Sequence, residues 1–257
     1  MSNPELLYKY RNWGKPWQRQ ILTIPSVYYA YTAQFEDEYD CHPRTIPPTI
    51  QDLYDYSVKY HLGDTPAMHQ HFAQERWTFY QNEDPKVREK RVREMERKHD
   101  NYFGVLCLSF RPNNQYLWKC NSSDHNGFCV EFDAEKLLDN IPKGVWGPVE
   151  YCETIPETPS GVSSNEYMKT TYLHKSKMNN MPKEEEYRIV KHYAEVWTRR
   201  QRNILIPPQC IKKVYVDKEM TQQYRTEIDG YSNGKWDVIP VKIDLNSEND
   251  NNWMEIF

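Results

Sequence analysis

The chain has few apolar residues and no long apolar run. Hydrophobic residues make up 38% of its 257 residues, and the mean hydropathy is -0.94. Its longest apolar segments are far shorter than the roughly 20 residues that a membrane-spanning helix needs. Residues 1–15 are polar and lack the apolar segment of a secretory signal peptide. We therefore expect no membrane partner and a cytoplasmic location.

The chain also lacks an excess of positive charge and paired cysteines. Its 33 basic and 37 acidic residues give a net charge of -4, so no global positive field would hold it on nucleic acid. That balance leaves room for a local basic groove. The six cysteines include no C-x-x-C pair, which argues against a structural zinc site. We expect reduced thiols and no metal ligand set.

Aromatic residues supply much of the apolar surface that is present. There are 20 Tyr, 8 Trp and 8 Phe, whereas disordered chains are poor in such residues. The composition predicts a folded protein whose core rings also need partners for their OH and NH groups. No repeat or linker divides the chain, so we predict a single domain over residues 1–245 and a polar tail over residues 246–257.

Local patterns predict several helices in the first half of the chain. Thr49 and Asp52 form a variant capping box before an apolar face with helical spacing. Thr65 and Asp84 each precede a proline, which is typical of a helix start. Further helices are predicted at 133–138, 164–180 and 218–228, whereas residues 12–20 are predicted to form a polar loop.

β-branched and aromatic runs predict strands at both ends of this helical region. The predicted strands or extended segments cover residues 6–10, 21–33, 105–110, 127–132, 145–151, 187–190, 204–206, 211–216 and 238–243. Because these strands do not alternate regularly with helices, a doubly wound parallel sheet is disfavoured. We predict an α+β fold with a mixed or antiparallel sheet core and helices inserted between the first and middle strands.

Four motifs follow one another along the chain. They are Leu7-Tyr8-Lys9-Tyr10-Arg11, then Phe35-Glu36-Asp37-Glu38-Tyr39-Asp40-Cys41, then Trp118 with His125-Asn126-Gly127 and an apolar strand, and finally Glu184-Glu185-Glu186-Tyr187-Arg188. In this order the set resembles a large bacterial family of domains of unknown function, whose members occur near phage-defence and toxin genes. The family usually reads F-N-D-P-F-D in the second motif and W-S-H-Y-A-D-x-H-x-G in the third.

The chain departs from that family pattern at several positions. In the second motif, Glu36 replaces an amide and Glu38 replaces a proline. In the third motif, Cys120 stands where the family has its first histidine, and Asn121 stands where it has a tyrosine. Roles that depend on those family side chains do not carry over to this chain.

The family pattern is distantly similar to the ADP-ribosyltransferase superfold, and this resemblance implies NAD as the substrate. It implies a key glutamate on a late strand and basic or aromatic residues on the first strand. The catalytic residues implied are Glu186, His125 and Glu184. The residues implied to bind NAD are Tyr8, Lys9, Tyr10, Arg11, Ser109, Trp118 and Arg188.

The chemistry of NAD cleavage explains why these residue types would be needed. Breaking the nicotinamide–ribose bond passes through an oxocarbenium-like state, which a nearby carboxylate stabilises. Arginine side chains suit the pyrophosphate because their planar fork matches its oxygens. Residues two apart on a strand share one face, so Glu184, Glu186 and Arg188 are predicted to point together. Tyr187 and Ile189 are predicted to point into the core.

Each of these residues also has a structural interpretation. The E-x-E-x-R pattern suits an ion-pair ladder between strands, and Lys9 and Arg11 suit an edge strand protected by charge. His125 suits a turn, and Trp118 suits a core anchor. Asp37 and Asp40 either orient a basic group or bind a divalent cation.

Three functions remain open on this sequence. The leading hypothesis is an intracellular toxin or phage-defence effector that uses NAD for ADP-ribosyl transfer or NAD hydrolysis, with a protein or nucleic-acid target and an antitoxin or defence protein as a further partner. The second is a metal-dependent nuclease effector built from Asp37, Asp40, Glu184, Glu186 and His125. The third is a non-enzymatic sensor or binding module, because Tyr and Trp are favoured at recognition surfaces.

Overall fold

A computed structural model describes residues 4–35, 37, 39–121, 125–159, 165–177, 184–243 and 254–256. The α-helices in these ranges are α1 (Pro16–Thr23), α2 (Ile50–Lys59), α3 (Pro66–Asn82), α4 (Pro85–His99), α5 (Gln115–Asn121), α6 (Ala134–Asn140), α7 (Asn165–Leu173) and α8 (Gln222–Ser232). The strands are β1 (Leu6–Asn12), β2 (Ser26–Tyr28), β3 (Arg44–Ile46), β4 (Phe103–Ser109), β5 (Gly127–Asp133), β6 (Val145–Pro148), β7 (Glu150–Cys152), β8 (Glu157–Pro159), β9 (His174–Ser176), β10 (Glu186–His192), β11 (Asn203–Leu205), β12 (Ile211–Asp217), β13 (Asp237–Ile243) and β14 (Met254–Ile256).

Most of the long strands form one sheet with the order β14-β13-β12-β5-β1-β4-β10-β6. Its neighbouring strands are antiparallel except for β12 and β13, which are parallel. Helices α1 to α4 lie between β1 and β4 in the chain. The predicted α+β fold with a mixed sheet and helices inserted between the first and middle strands is therefore confirmed.

The main core lies on one face of this sheet. Because side chains alternate along a strand, Leu7 of β1, Leu106 of β4 and Ile189 of β10 all face this core. Helices α1, α6 and α8 cover it with apolar side chains such as Leu22 and Ile228. The packed part of this face is apolar, so it holds the fold together.

The opposite face carries polar groups among its aromatic residues. Tyr8 and Tyr10 of β1 pack there with Trp118 of α5, while Glu186 and Arg188 of β10 are also buried. Buried charges are costly unless they are paired. This face is therefore where a functional site is expected.

The sheet is divided where β1 meets β4. Strand β1 pairs with β5 along its whole length, from Leu6 with Asp133 to Asn12 with Gly127. Both β1 and β4 are fully described, and they are joined at a single residue pair, Tyr8 with Ser109. On its other edge β4 pairs with β10 along its whole length, from Ser109 with Glu186 to Phe103 with His192. The two halves of the sheet consequently separate next to Lys9 and Arg11.

The helix starts follow the local sequence. Thr49 and Asp52 form the predicted reciprocal capping box of α2, which satisfies backbone N–H groups that have no partner inside the helix. The Thr65 side chain caps α3, and Asp133 caps α6 in the same way. Within the described ranges, the helices are all too short or too polar to cross a membrane.

Several local predictions are wrong. Residues 12–20 do not form a loop, because Pro16 starts α1, and Ile21 and Leu22 then pack into the main core. The extended segment at 21–33 is reduced to β2. The helix predicted over 164–180 ends at Leu173 and is followed by β9. Helix α5 was not predicted.

The end of the chain also differs in part from the prediction. Within the predicted tail 246–257, Met254–Ile256 form β14 and pair antiparallel with β13. The rest of that tail lies outside the described residues. At least this part of the tail therefore belongs to the main sheet.

Candidate functional site

A cavity of about 230 Å³ opens where the two halves of the sheet separate. We call it the carboxylate cavity. Its walls combine β1, β4, β9 and β10 with the segment before α2 and with α5. The lining residues are Tyr8, Lys9, Tyr10, Arg11, Phe35, Asp40, Cys107, Leu108, Ser109, Leu117, Asn121, Lys175, Glu184, Glu186 and Arg188. The first, second and fourth sequence motifs therefore meet in one place.

Arg188 forms the centre of a buried ion-pair network on the cavity wall. Its side chain is fully buried, and its Nη1 and Nη2 donate to the two carboxylate oxygens of Asp40 at 2.6 and 2.9 Å. Nη2 also donates to Glu186 Oε2 at 2.9 Å. The two-pronged pair with Asp40 fixes the plane of the Arg188 guanidinium. Its hydrogen bond from Nη2 then holds the Glu186 carboxylate in a defined orientation.

Lys175 on β9 completes this network. Its Nζ lies 3.0 Å from Asp40 and 3.3 Å from Glu184, and it lies 3.8 Å from Glu186. Three carboxylates thus share the charges of two buried cations. The predicted common orientation of Glu184, Glu186 and Arg188 is confirmed by these contacts.

The three carboxylates of the cavity differ in their pKa values. Burial raises the pKa of Asp40 and Glu186, but the charges and hydrogen bonds of Arg188 and Lys175 outweigh it, so both pKa values lie below the ordinary range. At Glu184 burial dominates over the attraction of Lys175, and its pKa is raised. Neighbouring acids with pKa values shifted in opposite directions suit different roles in proton transfer.

Two further cations in the cavity have no carboxylate partner. Lys9 Nζ donates to the carbonyl of Cys107, and Arg11 Nη1 donates to the carbonyl of Tyr10 at 3.2 Å. Neither forms an ion pair with any residue that the structure describes. Burial, together with the nearby charge of Arg11, lowers the pKa of Lys9 to about 8, and burial lowers the pKa of Arg11 to about 10.

The unpaired cations give the cavity a positive balance. With Lys9 protonated, four cations line it against three carboxylates. Because a charge that is partly removed from water is costly without a counter-ion, an anionic ligand would stabilise the half-buried Lys9 and Arg11. The cavity is therefore suited to an anion that lies next to an ionised carboxylate.

Backbone strain accompanies two of the carboxylates. Cys41 follows Asp40 with φ of 66°, and Glu185 precedes Glu186 with φ of 45°. Non-glycine residues seldom adopt this left-handed conformation, and such strain is concentrated at functional sites. Both residues turn the chain at the point where a carboxylate enters the network.

The hydroxyl groups of the cavity wall are already used by the protein. Tyr10 Oη accepts a hydrogen bond from the backbone N–H of Asn114 at 3.0 Å. Ser109 Oγ donates to the carbonyl of Glu184 at 3.2 Å. Burial raises the pKa of Tyr8, and the charge and hydrogen bond of the buried Glu131 carboxylate raise it further. These three side chains shape the wall and position their neighbours.

Trp118 does not line the cavity. Its indole is fully buried, its Nε1 donates to the carbonyl of Pro112 at 2.8 Å, and its ring meets Tyr10 edge-on at 5.5 Å. The expectation that Trp118 contacts NAD is therefore corrected. It is the core anchor of the alternative interpretation, and it supports Tyr10 from behind.

His125 is also absent from the cavity lining. It lies before β5 with φ of 57°, and its Nδ1 is 2.9 Å from Oδ2 of Asp217. Its side chain is 59% exposed. The expectation that His125 belongs to the catalytic set is corrected, because the ring caps the end of β12 instead of facing Glu186.

Reasoning from the sequence missed Lys175 and left Asp40 undecided. Lys175 falls inside a segment that was predicted to be helical, and no local pattern distinguishes it from other lysines. The sequence leaves Asp40 either to orient a cation or to bind a metal, and its pairing with Arg188 favours the first role. Glu36 and Glu38 of the same motif lie outside the described residues.

The donor set of a metal-dependent nuclease is not assembled in the described part of the chain. No three His, Cys, Asp or Glu side chains there are placed to hold a metal ion. Asp37 accepts a hydrogen bond from the backbone of Tyr39 at 3.0 Å, and the cavity carboxylates face Lys175 and Arg188. The described geometry gives the nuclease hypothesis no support.

Comparisons with known proteins give no match to a family model, a curated protein or a solved structure. The family resemblance of the four motifs stays a prediction. The function is therefore argued from the chemistry of the carboxylate cavity.

Proposed function

We propose that the carboxylate cavity binds the nicotinamide–ribose end of NAD and that the chain cleaves the bond between them, as an NAD hydrolase or an ADP-ribosyltransferase. The observation that supports this most is that one cavity holds both an ionised carboxylate and two cations without an ion-pair partner. Glu186 is held ionised by Arg188, while Lys9 and Arg11 have no ion-pair partner among the described residues. A substrate with a pyrophosphate and a developing positive charge matches both features.

The size of the cavity agrees with part of the dinucleotide. Pockets for whole drug-sized ligands occupy about 300–1,000 Å³, and the carboxylate cavity has about 230 Å³. Nicotinamide with its ribose would fill this space. The pyrophosphate would then lie at Lys9 and Arg11, where the two halves of the sheet separate, and replace the missing counter-ion of both cations.

The proposed reaction uses two carboxylates in different roles. Glu186 would accept a hydrogen bond from the ribose 2′-hydroxyl and stabilise the positive charge that develops on the ribose. The bond between ribose C1′ and the pyridinium nitrogen breaks, and its electron pair leaves with neutral nicotinamide. An oxygen of water or of an acceptor forms the new bond to C1′. Glu184, whose pKa is raised, takes the proton of that oxygen.

The proposal is tested by following free nicotinamide after the purified protein is mixed with NAD, alone and with cell lysate. Glu186→Gln keeps the shape of the side chain but removes its charge, and losing such stabilisation costs about 10²–10³ in rate. We expect wild type to release nicotinamide and the variant to release very little. Release that needs lysate indicates transfer, and release without lysate indicates hydrolysis.

The matched control is Glu185→Gln. Glu185 is the neighbouring glutamate, but its side chain pairs with Arg111 at 3.1 Å on the surface and does not line the cavity. We expect this variant to retain wild-type release. If the folded wild type releases no nicotinamide in either setting, the proposal fails. Binding of NAD without release would then favour the sensor hypothesis.

A further inference from the structure

A second and larger cavity adjoins Arg11. It has about 730 Å³ and lies among α1, β2 and the segment that enters β11. We call it the arginine cleft. Three arginines line it, together with two aromatic rings and several amides, and none of the described residues in its lining is a carboxylate. This composition is unusual in a chain with more acidic than basic residues.

The arginines of the cleft are free to bind an anion. Arg199 and Arg200 are exposed, and neither forms an ion pair with the described residues. Arg11 lies at the buried end, where it also lines the carboxylate cavity. The cations therefore extend from the surface inward, which suits a ligand with more than one phosphate.

An aromatic surface lies beside these cations. Trp17 on α1 is 59% exposed, although large rings are normally buried. Tyr28 on β2 lines the same cleft, with its hydroxyl 3.4 Å from Gln34 Oε1. An exposed indole next to arginines is the arrangement on which unpaired bases stack. A duplex would not offer such a base, because its bases are stacked on one another.

The cleft is adjacent to the carboxylate cavity through shared residues. A small cavity of about 20 Å³ shares Lys9 and Arg11 with the carboxylate cavity and shares Trp17 and Tyr28 with the arginine cleft. A ligand in the cleft would thus lie next to the cations assigned to the NAD pyrophosphate. That position suits the second substrate of a transfer reaction.

We infer that the arginine cleft binds a single-stranded nucleic acid, with phosphates at Arg199 and Arg200 and a base stacked on Trp17. The role of this nucleic acid as the ADP-ribose acceptor depends on the proposed function. Binding of the nucleic acid does not depend on it, because this binding is measured without NAD. Failure of one proposal is therefore distinguishable from failure of the other.

The test is fluorescence anisotropy with labelled single-stranded RNA and DNA oligonucleotides of mixed sequence, measured over a range of salt concentrations. Arg199→Ala/Arg200→Ala removes two phosphate contacts, so the negative slope of log K against log salt should become shallower by about 1.4. Trp17→Ala removes a stacking surface and should weaken binding about tenfold. The stronger of the RNA and DNA arms identifies the polymer.

The matched control is Arg76→Ala/Arg93→Ala, which removes two exposed arginines on α3 and α4 and changes the net charge equally. We expect it to bind like wild type. Equal weakening by both double variants would show a non-specific charge effect and overturn the inference. An absence of binding at low salt would also overturn the inference. So would displacement of the oligonucleotide by AMP at a concentration equal to the oligonucleotide concentration counted in nucleotides.

Discussion

At the scale of single residues, pairing divides the cations that line the carboxylate cavity into two kinds. Arg188 has two carboxylate partners within 2.9 Å, so its charge is already paired and it positions Glu186. In the described part of the chain, Lys9 and Arg11 donate their hydrogen bonds to backbone carbonyls. Their charges remain available, and the proposed NAD contacts therefore rest on them.

The pKa of Lys9 gives a prediction about ligand affinity. The pKa of Lys9 is about 8, so in the protein without ligand Lys9 loses its proton above about this pH. Binding of a pyrophosphate must then restore that proton. Affinity for NAD should then fall by up to about tenfold between about pH 7 and about pH 9. Titration of wild type with NAD at both pH values measures this change.

Lys9→Gln serves as the control for that pH dependence. The variant should bind NAD more weakly at about pH 7 and should show little further loss up to about pH 9, before Arg11 titrates. A wild-type affinity that stays constant over this range would contradict the assigned role of Lys9. The free energy of unfolding should change in the opposite direction. Between about 8 and the ordinary pKa of 10.5 the unfolded chain holds the extra proton, so stability rises with pH.

At the scale of elements, close packing behind β4 fixes the strand that carries Cys107 and Ser109. Gly104 lies where a Cβ atom would come within 2.7 Å of Tyr193 Oη and 2.8 Å of Tyr29 Cβ. Ala30 bridges to Val105 next to this point. Strand β4 can therefore approach these rings only because residue 104 has no side chain.

This packing predicts opposite effects for two glycine substitutions. Gly104→Ala should destabilise the fold by about 1–3 kcal/mol, because overpacking forces neighbouring side chains to shift. Gly230→Ala in α8, where a Cβ meets nothing within 4 Å, should stabilise it by about 0.5–1 kcal/mol through helix propensity. Urea unfolding of both variants measures the difference. Equal effects would show that the contacts behind β4 are not limiting.

At the scale of the whole molecule, the ion-pair network joins distant parts of the chain. Asp40 and Arg188 are 148 residues apart and form a buried two-pronged pair, and Lys175 ties Asp40 to β9. Removing one member of a buried pair leaves a charge without compensation. The network therefore contributes to stability as well as to the orientation of Glu186.

This network makes stability depend on pH in the acidic range. Because the pKa values of Asp40 and Glu186 are lowered, their contribution is complete above their ordinary pKa values of 3.8 and 4.5. It is lost as the pH falls and the carboxylates take up protons. The raised pKa of Glu184 has the opposite sign and offsets part of this loss. Acid titration followed by circular dichroism should show progressive unfolding below about pH 4.

Asp40→Asn removes one of the two carboxylates whose pKa is lowered. It should cost about 3–5 kcal/mol at neutral pH and should reduce the steepness of acid unfolding. The control is Glu157→Gln, which breaks an exposed pair with Arg44 at 3.6 Å and should cost less than about 1 kcal/mol. A similar cost for both substitutions would mean that the buried network does not stabilise the fold.

The sequence alone determined features that depend on neighbouring residues. The capping box at Thr49, the proline-led helix starts and the alternation that separates Glu186 and Arg188 from Tyr187 follow from local geometry. The α+β fold follows from the order of these elements. The motif at Tyr8–Arg11 and the motif at Glu184–Arg188 line one cavity, as a shared site requires.

Only the tertiary structure decided which of these side chains is free to bind a ligand. Arg188 and Arg11 are both arginines on central strands, and nothing local shows that Asp40, 148 residues away, neutralises one and not the other. Contacts between distant segments also place Lys175 in the site and place Trp118 and His125 outside it. Burial and ion pairing arise from contacts between distant segments, and such contacts form only when the chain folds.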